Sequence, residues 1–499
     1  MSAFSAIPLG RPIPDSPHAV SCSLPTMHAV RGYEERSPDV MDHIASGYPR
    51  FVVHAFSRRL ADRVAAEAGL SGQRLWLVSS ERMAEGLESH LEGSGAARVS
   101  FRGIWGVAHP ESAPVSSRAK LYLQHVGGFI SSREAEDHLV RLGLEAAARP
   151  EAQFAGDSGA EVRRRLAPAF PGLRPEELML ANSGMNAIHA AFRAVSEVQA
   201  CRGRTAWVQL GWLYLDTIAL LKKFTAGPGD YLHQRDVFDL GSLERLFASH
   251  PGRIAGLITE VPTNPLVQTP DVGALAALCR RHGVRLVLDP TVSSAFSVEV
   301  MPHADVVVTS LTKYAGNEGD IIAGLAAVNP AGADAPALRA GIAAHLESPY
   351  PRDLARLASQ IGKASEVLAR IEESTPRVAQ FLSGHPGVRE VFWAQAPASW
   401  ENYARIARLP GSVGGMISFS LKGPLEPFYD RLRLPKGPSF GMRTTLICPF
   451  MYLAHYDLVT TPEGRAELAA SGLDPELLRL CVGAESGGDI IAALDEALA

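Results

Sequence analysis

Short apolar runs alternate with amphipathic stretches through the middle of the chain. LMLAN, TAWVQL, IAGLITE, VRLVLD and ADVVVTS each read as a buried strand, each followed by a Gly, Pro, Ser or Asn break and several by a helical pattern. Strands apolar on both faces and separated by helices predict an α/β fold with a mostly parallel sheet covered on both sides, over residues 116–335. Ahead of it, the apolar RFVVHAF and LWLVSS, two amphipathic stretches and the alternating ARVSFRGIWGV predict a small α/β unit after a Pro- and Ser-rich arm. Beyond it, a long helical stretch (RDLARLASQIGKASEVLARIEEST), the extended GGMISFSLKG and the closing helix DIIAALDEALA predict a smaller C-terminal α/β domain. The expected division is an N-terminal arm and extension at 1–115, a large domain at 116–335 and a small domain at 336–499.

With 499 residues the chain exceeds the usual size of one domain, in keeping with that division. Its 48 basic and 53 acidic residues give a formal net charge of -5 with no long run of either sign, so nothing in the charge pattern marks a nucleic acid or an anionic membrane as partner. Small molecules and further copies of the chain are the expected partners. Cys22, Cys201, Cys279, Cys448 and Cys481 are scattered and form no close metal-binding or redox pair, so no metal is expected. Pro8, Pro12, Pro14 and Pro17 interrupt the start and no apolar run approaches 20 residues, which makes a cytoplasmic location the expectation.

Five motifs carry candidate chemistry. SLTKYAG follows ADVVVTS, and its Lys313 can lose charge by forming an imine while the hydroxyls of Ser310 and Thr312 face a phosphate; alone it could equally be a surface loop. Asp289, in LDPT, could hold a proton on a pyridine nitrogen or simply make a turn. Gly184 and Met185 open a helix, where free N–H groups suit a phosphate. Tyr214 could lie against a flat cofactor, and Asn264 sits in the Pro-bracketed loop of TEVPTNP. Singly they are weak, but all five fall at the carboxyl ends of successive strands, where ligands collect in α/β sheets.

The series SGM, YLDT, EVPTNP, LDPT and SLTKY resembles the pyridoxal-phosphate (PLP) enzymes of cysteine and methionine metabolism, of cystathionine γ-synthase type, with the aspartate-aminotransferase-like fold (fold type I). PLGRPIPDSPHAVSCSLPTMHAVRGYEE and SGYPRF are similar to the long fungal-type cystathionine γ-synthases. The resemblance implies a Schiff base on Lys313, Asp289 on the pyridine nitrogen, Tyr214 stacked on the ring, and a phosphate cradle of Gly184, Met185, Ser310 and Thr312. It also implies a Tyr-x-Arg pair from a neighbouring subunit, matched to Ser131 and Arg133, and a substrate carboxylate held by Arg479 with Asn264 and Ser439 close by. A shared site implies a dimer or tetramer.

The reaction implied is γ-replacement on an activated homoserine or similar γ-substituted amino acid, with a thiol such as cysteine as nucleophile. The alternative is a lyase of specialised metabolism that eliminates from another γ-substituted, for instance halogenated, amino acid. Ser131, Met442 and Thr444 depart from the usual residues and are the expected places for such a switch. Lys313, Asp289 and Arg479 together argue against a non-catalytic relative.

Overall fold

The computed structural model describes residues 4–48 and 52–499; Pro49, Arg50 and Phe51, the end of the SGYPRF segment, lie outside the described residues. At the centre is a seven-stranded sheet, ordered Met179–Ala181, Gly324–Val328, Val306–Ser310, Arg285–Asp289, Ile254–Glu260, Ala206–Leu210, Tyr231–Gln234. Only Gly324–Val328 runs antiparallel to its neighbours; the remaining pairings are parallel. Ile254–Glu260 and Ala206–Leu210 are buried along their whole length, the signature of strands covered on both faces.

Two of these strands escape the sequence pattern. Tyr231–Gln234 is half-buried at the sheet edge and has no apolar run. Gly324–Val328 (GLAAV) opens on a glycine because that position has no room for a side chain: a Cβ on Gly324 would lie 2.2 Å from the Ser183 carbonyl oxygen. That contact presses the sheet against the turn that opens the helix Gly184–Ala200.

The N-terminal unit is a three-stranded antiparallel sheet, Gln73–Val78, Ile104–Pro110 and Ala97–Phe101 in spatial order. Leu75 and Leu77 pack with Leu60 and Leu139 on one face, while Trp76 and Val78 pack with Leu87 and Leu123 on the other. This period of two fixes the register. The core therefore draws on helices Ala113–Val126 and Ser132–Arg141, beyond residue 115 where the sequence pattern puts its end.

Residues 388–481 contribute a four-stranded antiparallel sheet, Val388–Trp393, Met416–Leu421, Leu478–Cys481, Leu446–Pro449. The long helical stretch before it is two helices, Pro351–Ile361 and Ala364–Gly384, separated at Gly362 and Lys363. The arm is integral to this region: Leu24 and Tyr33 are fully buried in the same core as Phe419 and Leu480. Met27 N–H donates to Asp430 at 2.8 Å, and the Tyr429 hydroxyl donates to the Leu24 carbonyl at 3.0 Å.

Candidate active site

Four neighbouring parallel strands deliver Ser310, Asp289, Glu260 and the loop to Tyr214 at the same edge of the sheet. Lys313 follows Ser310 in a tight turn and is 8% exposed. Its ammonium donates to Ser439 Oγ at 2.7 Å and lies 4.8 Å from the Tyr48 ring centre and 5.1 Å from that of Phe440. Ser439 has φ +84 and Tyr314, next to the lysine, φ +55, conformations that side-chain-bearing residues adopt at a cost and that cluster where function needs them.

Arg479 reaches the site from the strand Leu478–Cys481. One guanidinium N–H donates to Asn264 Oδ1 at 3.2 Å and another to the Ser439 carbonyl at 3.0 Å. Phe440 and Phe450 flank the group at 5.1 and 4.6 Å. An arginine flanked by two rings and donating to two fixed acceptors keeps its fork in one orientation, as a bidentate grip on a carboxylate requires.

Asp289 Oδ1 accepts from the N–H and the hydroxyl of Thr291. Burial pushes its carboxyl up to about 6, against the lowering effect of those hydrogen bonds. Glu260, whose carboxylate accepts from the backbone N–H groups of Tyr214 and Asn264, is also pushed well up, first by burial and then by the charge of Asp289. Two buried carboxyls facing each other form a place that favours a proton or a cation between them. The motif TEVPTNP points to its asparagine and leaves its glutamate without a role; an acid ending a wholly buried strand is the signal that singles out Glu260.

The residues fit PLP on structural grounds. Ser310 Oγ is buried and has no hydrogen-bond partner among the described residues. It faces Gly184, where a Cβ would lie 2.9 Å from Ser310 Cβ, so the glycine keeps open the gap between that hydroxyl and the first helical turn. Gly184, Met185, Tyr214, Asn264, Asp289, Ser310, Lys313, Ser439 and Arg479 line one cavity of about 100 Å³.

Three expectations are corrected. Thr312 is 1% exposed and its hydroxyl is turned to the backbone of Ala323, away from the cradle expected of it. Arg133 is also 1% exposed and is spent on an ion network, bonding Glu151 at 2.7 Å, Asp353 at 3.1 Å and the Asp320 carbonyl at 2.8 Å; a guanidinium so engaged is not available to a phosphate. Ser131 caps the helix Ser132–Arg141, and Met442 packs on Ile13 and Val20 of the arm, so neither lies in the cavity. Tyr48, which begins a Tyr-Pro-Arg run with the spacing expected at 131–133, lies 4.8 Å from the Lys313 ammonium.

Asp289 carries a testable cost. Its folded-state pKa lies above the ordinary 3.8, so the folded chain holds a proton that the unfolded chain releases between about pH 4 and pH 6. Stability falls as pH rises through that window and the penalty is complete above it. Cofactor-free Asp289→Asn protein is therefore expected to be more stable at pH 8 by on the order of 2 kcal/mol, with the gain shrinking towards pH 4, in urea titrations. An unchanged midpoint at pH 8 would contradict the burial argument.

A family model described as Cys/Met metabolism PLP-dependent enzyme matches residues 173–499. The L-2-amino-4-chloropent-4-enoate dechlorinase/desaturase of Streptantibioticus cattleyicolor is 41% identical over 475 residues, 95% of each chain. The cystathionine gamma-synthase of Neurospora crassa is 27% identical over 613 aligned positions, 98% of each chain. Among solved structures, cystathionine gamma synthase from Xanthomonas oryzae pv. oryzae superposes with a TM-score of 0.59 at 24% identity, over 69% of this chain and 86% of that one, a likeness of fold. Among the described residues, no helix is long and apolar enough to cross a membrane, and no group of His, Cys, Asp and Glu could hold a metal ion.

Proposed function

The chain belongs to the Cys/Met metabolism PLP-dependent enzymes, and from that premise we propose that it breaks the bond to a γ substituent of an L-amino acid and replaces it with a thiol such as cysteine, in the manner of a cystathionine γ-synthase. The observation that carries this reading is Ser439, which accepts from Lys313 on its hydroxyl and from Arg479 on its carbonyl. One residue thus fixes the amine and the carboxylate anchor relative to each other. Lys313, Asp289 and Tyr214, with Gly184, Met185 and Ser310 at the phosphate, would hold the cofactor, which when bound supplies an electron sink for charge at Cα.

The remaining work falls to side chains of this chain. Arg479, steadied by Asn264, binds the substrate carboxylate. Lys313, freed by the incoming amino group, takes the Cα proton and then serves Cβ, so that the γ substituent leaves with its bonding electrons. The Phe440, Phe450 and Tyr48 rings around Lys313 and Arg479 exclude water from that sequence. The enzyme acts as a cytoplasmic homo-oligomer, dimer or tetramer, with shared sites, in methionine biosynthesis or in a specialised pathway.

The second reading, elimination to an unsaturated amino acid or a 2-oxo acid, is favoured by the 41% identity to the dechlorinase/desaturase against 27% to the fungal γ-synthase. Both readings use the same steps up to departure of the leaving group. Incubation with O-acetylhomoserine and with a γ-chlorinated amino acid, each with and without cysteine, separates them. Cystathionine formed only with cysteine supports replacement; chloride release with an unsaturated product, indifferent to cysteine, moves the assignment to elimination. Inertness towards every γ-substituted amino acid would remove both.

A further inference from the structure

Glu260 ends the wholly buried strand Ile254–Glu260, is itself 5% exposed, and takes no part in the steps given to Lys313 and Arg479. It is the ladder partner of Asp289, and the two acids line the cavity together with Tyr214, Asn264 and Arg479. Its two carboxyl oxygens serve different loops. Oε1 accepts from the backbone N–H of Tyr214, the residue from which the helix Leu215–Phe224 starts, and Oε2 accepts from the backbone N–H of Asn264 at 3.1 Å. The Asn264 side chain then accepts from Arg479 at 3.2 Å, and the carbonyl of the next residue, Pro265, accepts from the Ser418 hydroxyl of the C-terminal sheet at 2.7 Å. An unbroken run of hydrogen bonds therefore leads from the Tyr214 backbone through Glu260 and Asn264 to the Arg479 guanidinium.

A carboxyl buried beside another carboxyl is unfavourable unless its hydrogen bonds compensate, and burial followed by the charge of Asp289 pushes this one well above the ordinary range. Both compensating bonds go to main chain, so they set where a side chain starts and leave its tip free to touch a ligand. We propose that Glu260 is a positioning residue: one carboxyl holds both the tyrosine that lies on the cofactor ring and the asparagine that steadies the carboxylate anchor, and so keeps the two halves of the site in register. The inference rests on the placements of cofactor and substrate proposed above and adds the group that ties them together.

Two binding readouts test it. L-norleucine lacks a leaving group, and n-pentylamine is norleucine with hydrogen in place of the carboxylate, so calorimetric titration of PLP-loaded enzyme with each measures the grip on the carboxylate. Visible circular dichroism per bound PLP measures how the ring sits. Glu260→Ala removes both acceptors and is expected to cut the preference for norleucine by about tenfold, the effect of one hydrogen bond, and to change the dichroism as well. In Glu260→Gln the amide oxygen can accept one N–H while its own N–H groups confront the other, so at least one readout should shift; this isostere also removes the repulsion with Asp289 and should fold even if the alanine variant does not. A folded Glu260→Ala protein with either readout at its wild-type value, or a Glu260→Gln protein with both unchanged, overturns the positioning role while leaving the amino-acid reading in place. Wild-type enzyme that binds pentylamine as tightly as norleucine removes the carboxylate anchor itself, and the inference with it.

Discussion

Lys313→Ala protein is expected to retain its fold and to lose turnover by about 10⁴-fold or more. Lys313 is asked both to hold the cofactor and to move protons at adjacent carbons, and a single positioned acid–base group accounts for about 10² to 10⁴ by itself. The structural cost should be small: the side chain donates to Ser439 Oγ and lies beside the Tyr48 and Phe440 rings at a cavity, where water can solvate the hydroxyl once the ammonium is removed. The variant should remain colourless after incubation with PLP and gel filtration, keep a thermal midpoint within a few degrees of wild type, and recover some turnover with added small primary amines. Retention of more than about 1% of activity would move the chemistry away from this residue.

Arg479→Leu should produce the second large effect, a loss of roughly 10² to 10³ in kcat/KM, the equivalent of about 3–4 kcal/mol for a buried charged partner left without its counterpart. Since the substrate carboxylate is gripped before and during reaction alike, the loss should fall mainly on KM. Arg479→Lys should recover little, because an ammonium cannot reproduce the flat fork between Phe440 and Phe450 while still donating to Asn264 and the Ser439 carbonyl. A variant with unchanged KM and reduced kcat would place the carboxylate elsewhere.

The contrast between what is legible in the sequence and what is not follows the distance over which each feature is assembled. Lys313, Asp289, Gly184 and Ser310 sit within a few residues of an apolar strand that announces itself, so strand and chemistry are read together. Tyr48 has no such neighbour; only folding brings it to Lys313, 265 positions later. The helix Phe450–Ala454 carries no motif of its own, since its apolar residues serve the core on one side and the cavity on the other. Arg133 shows the opposite error: a motif spacing matched without its setting, where Glu151 and Asp353 already claim the guanidinium. Thr312 differs by orientation alone, since a hydroxyl two residues from a real phosphate candidate can turn to either side of the chain.

The arm that enters the C-terminal core sets a schedule for biosynthesis. Leu24 and Met27 find their partners Tyr429 and Asp430 only after some 400 further residues have been made, with separations of 405 and 403. At translation rates of about 5–20 residues per second that is a wait of roughly 20–80 s, during which apolar groups destined for the interior stay exposed on the nascent chain. Chaperone demand during synthesis, and the solubility of recombinant protein carrying bulky amino-terminal fusions, should therefore be governed by the first 35 residues, although they lie far in sequence from Lys313.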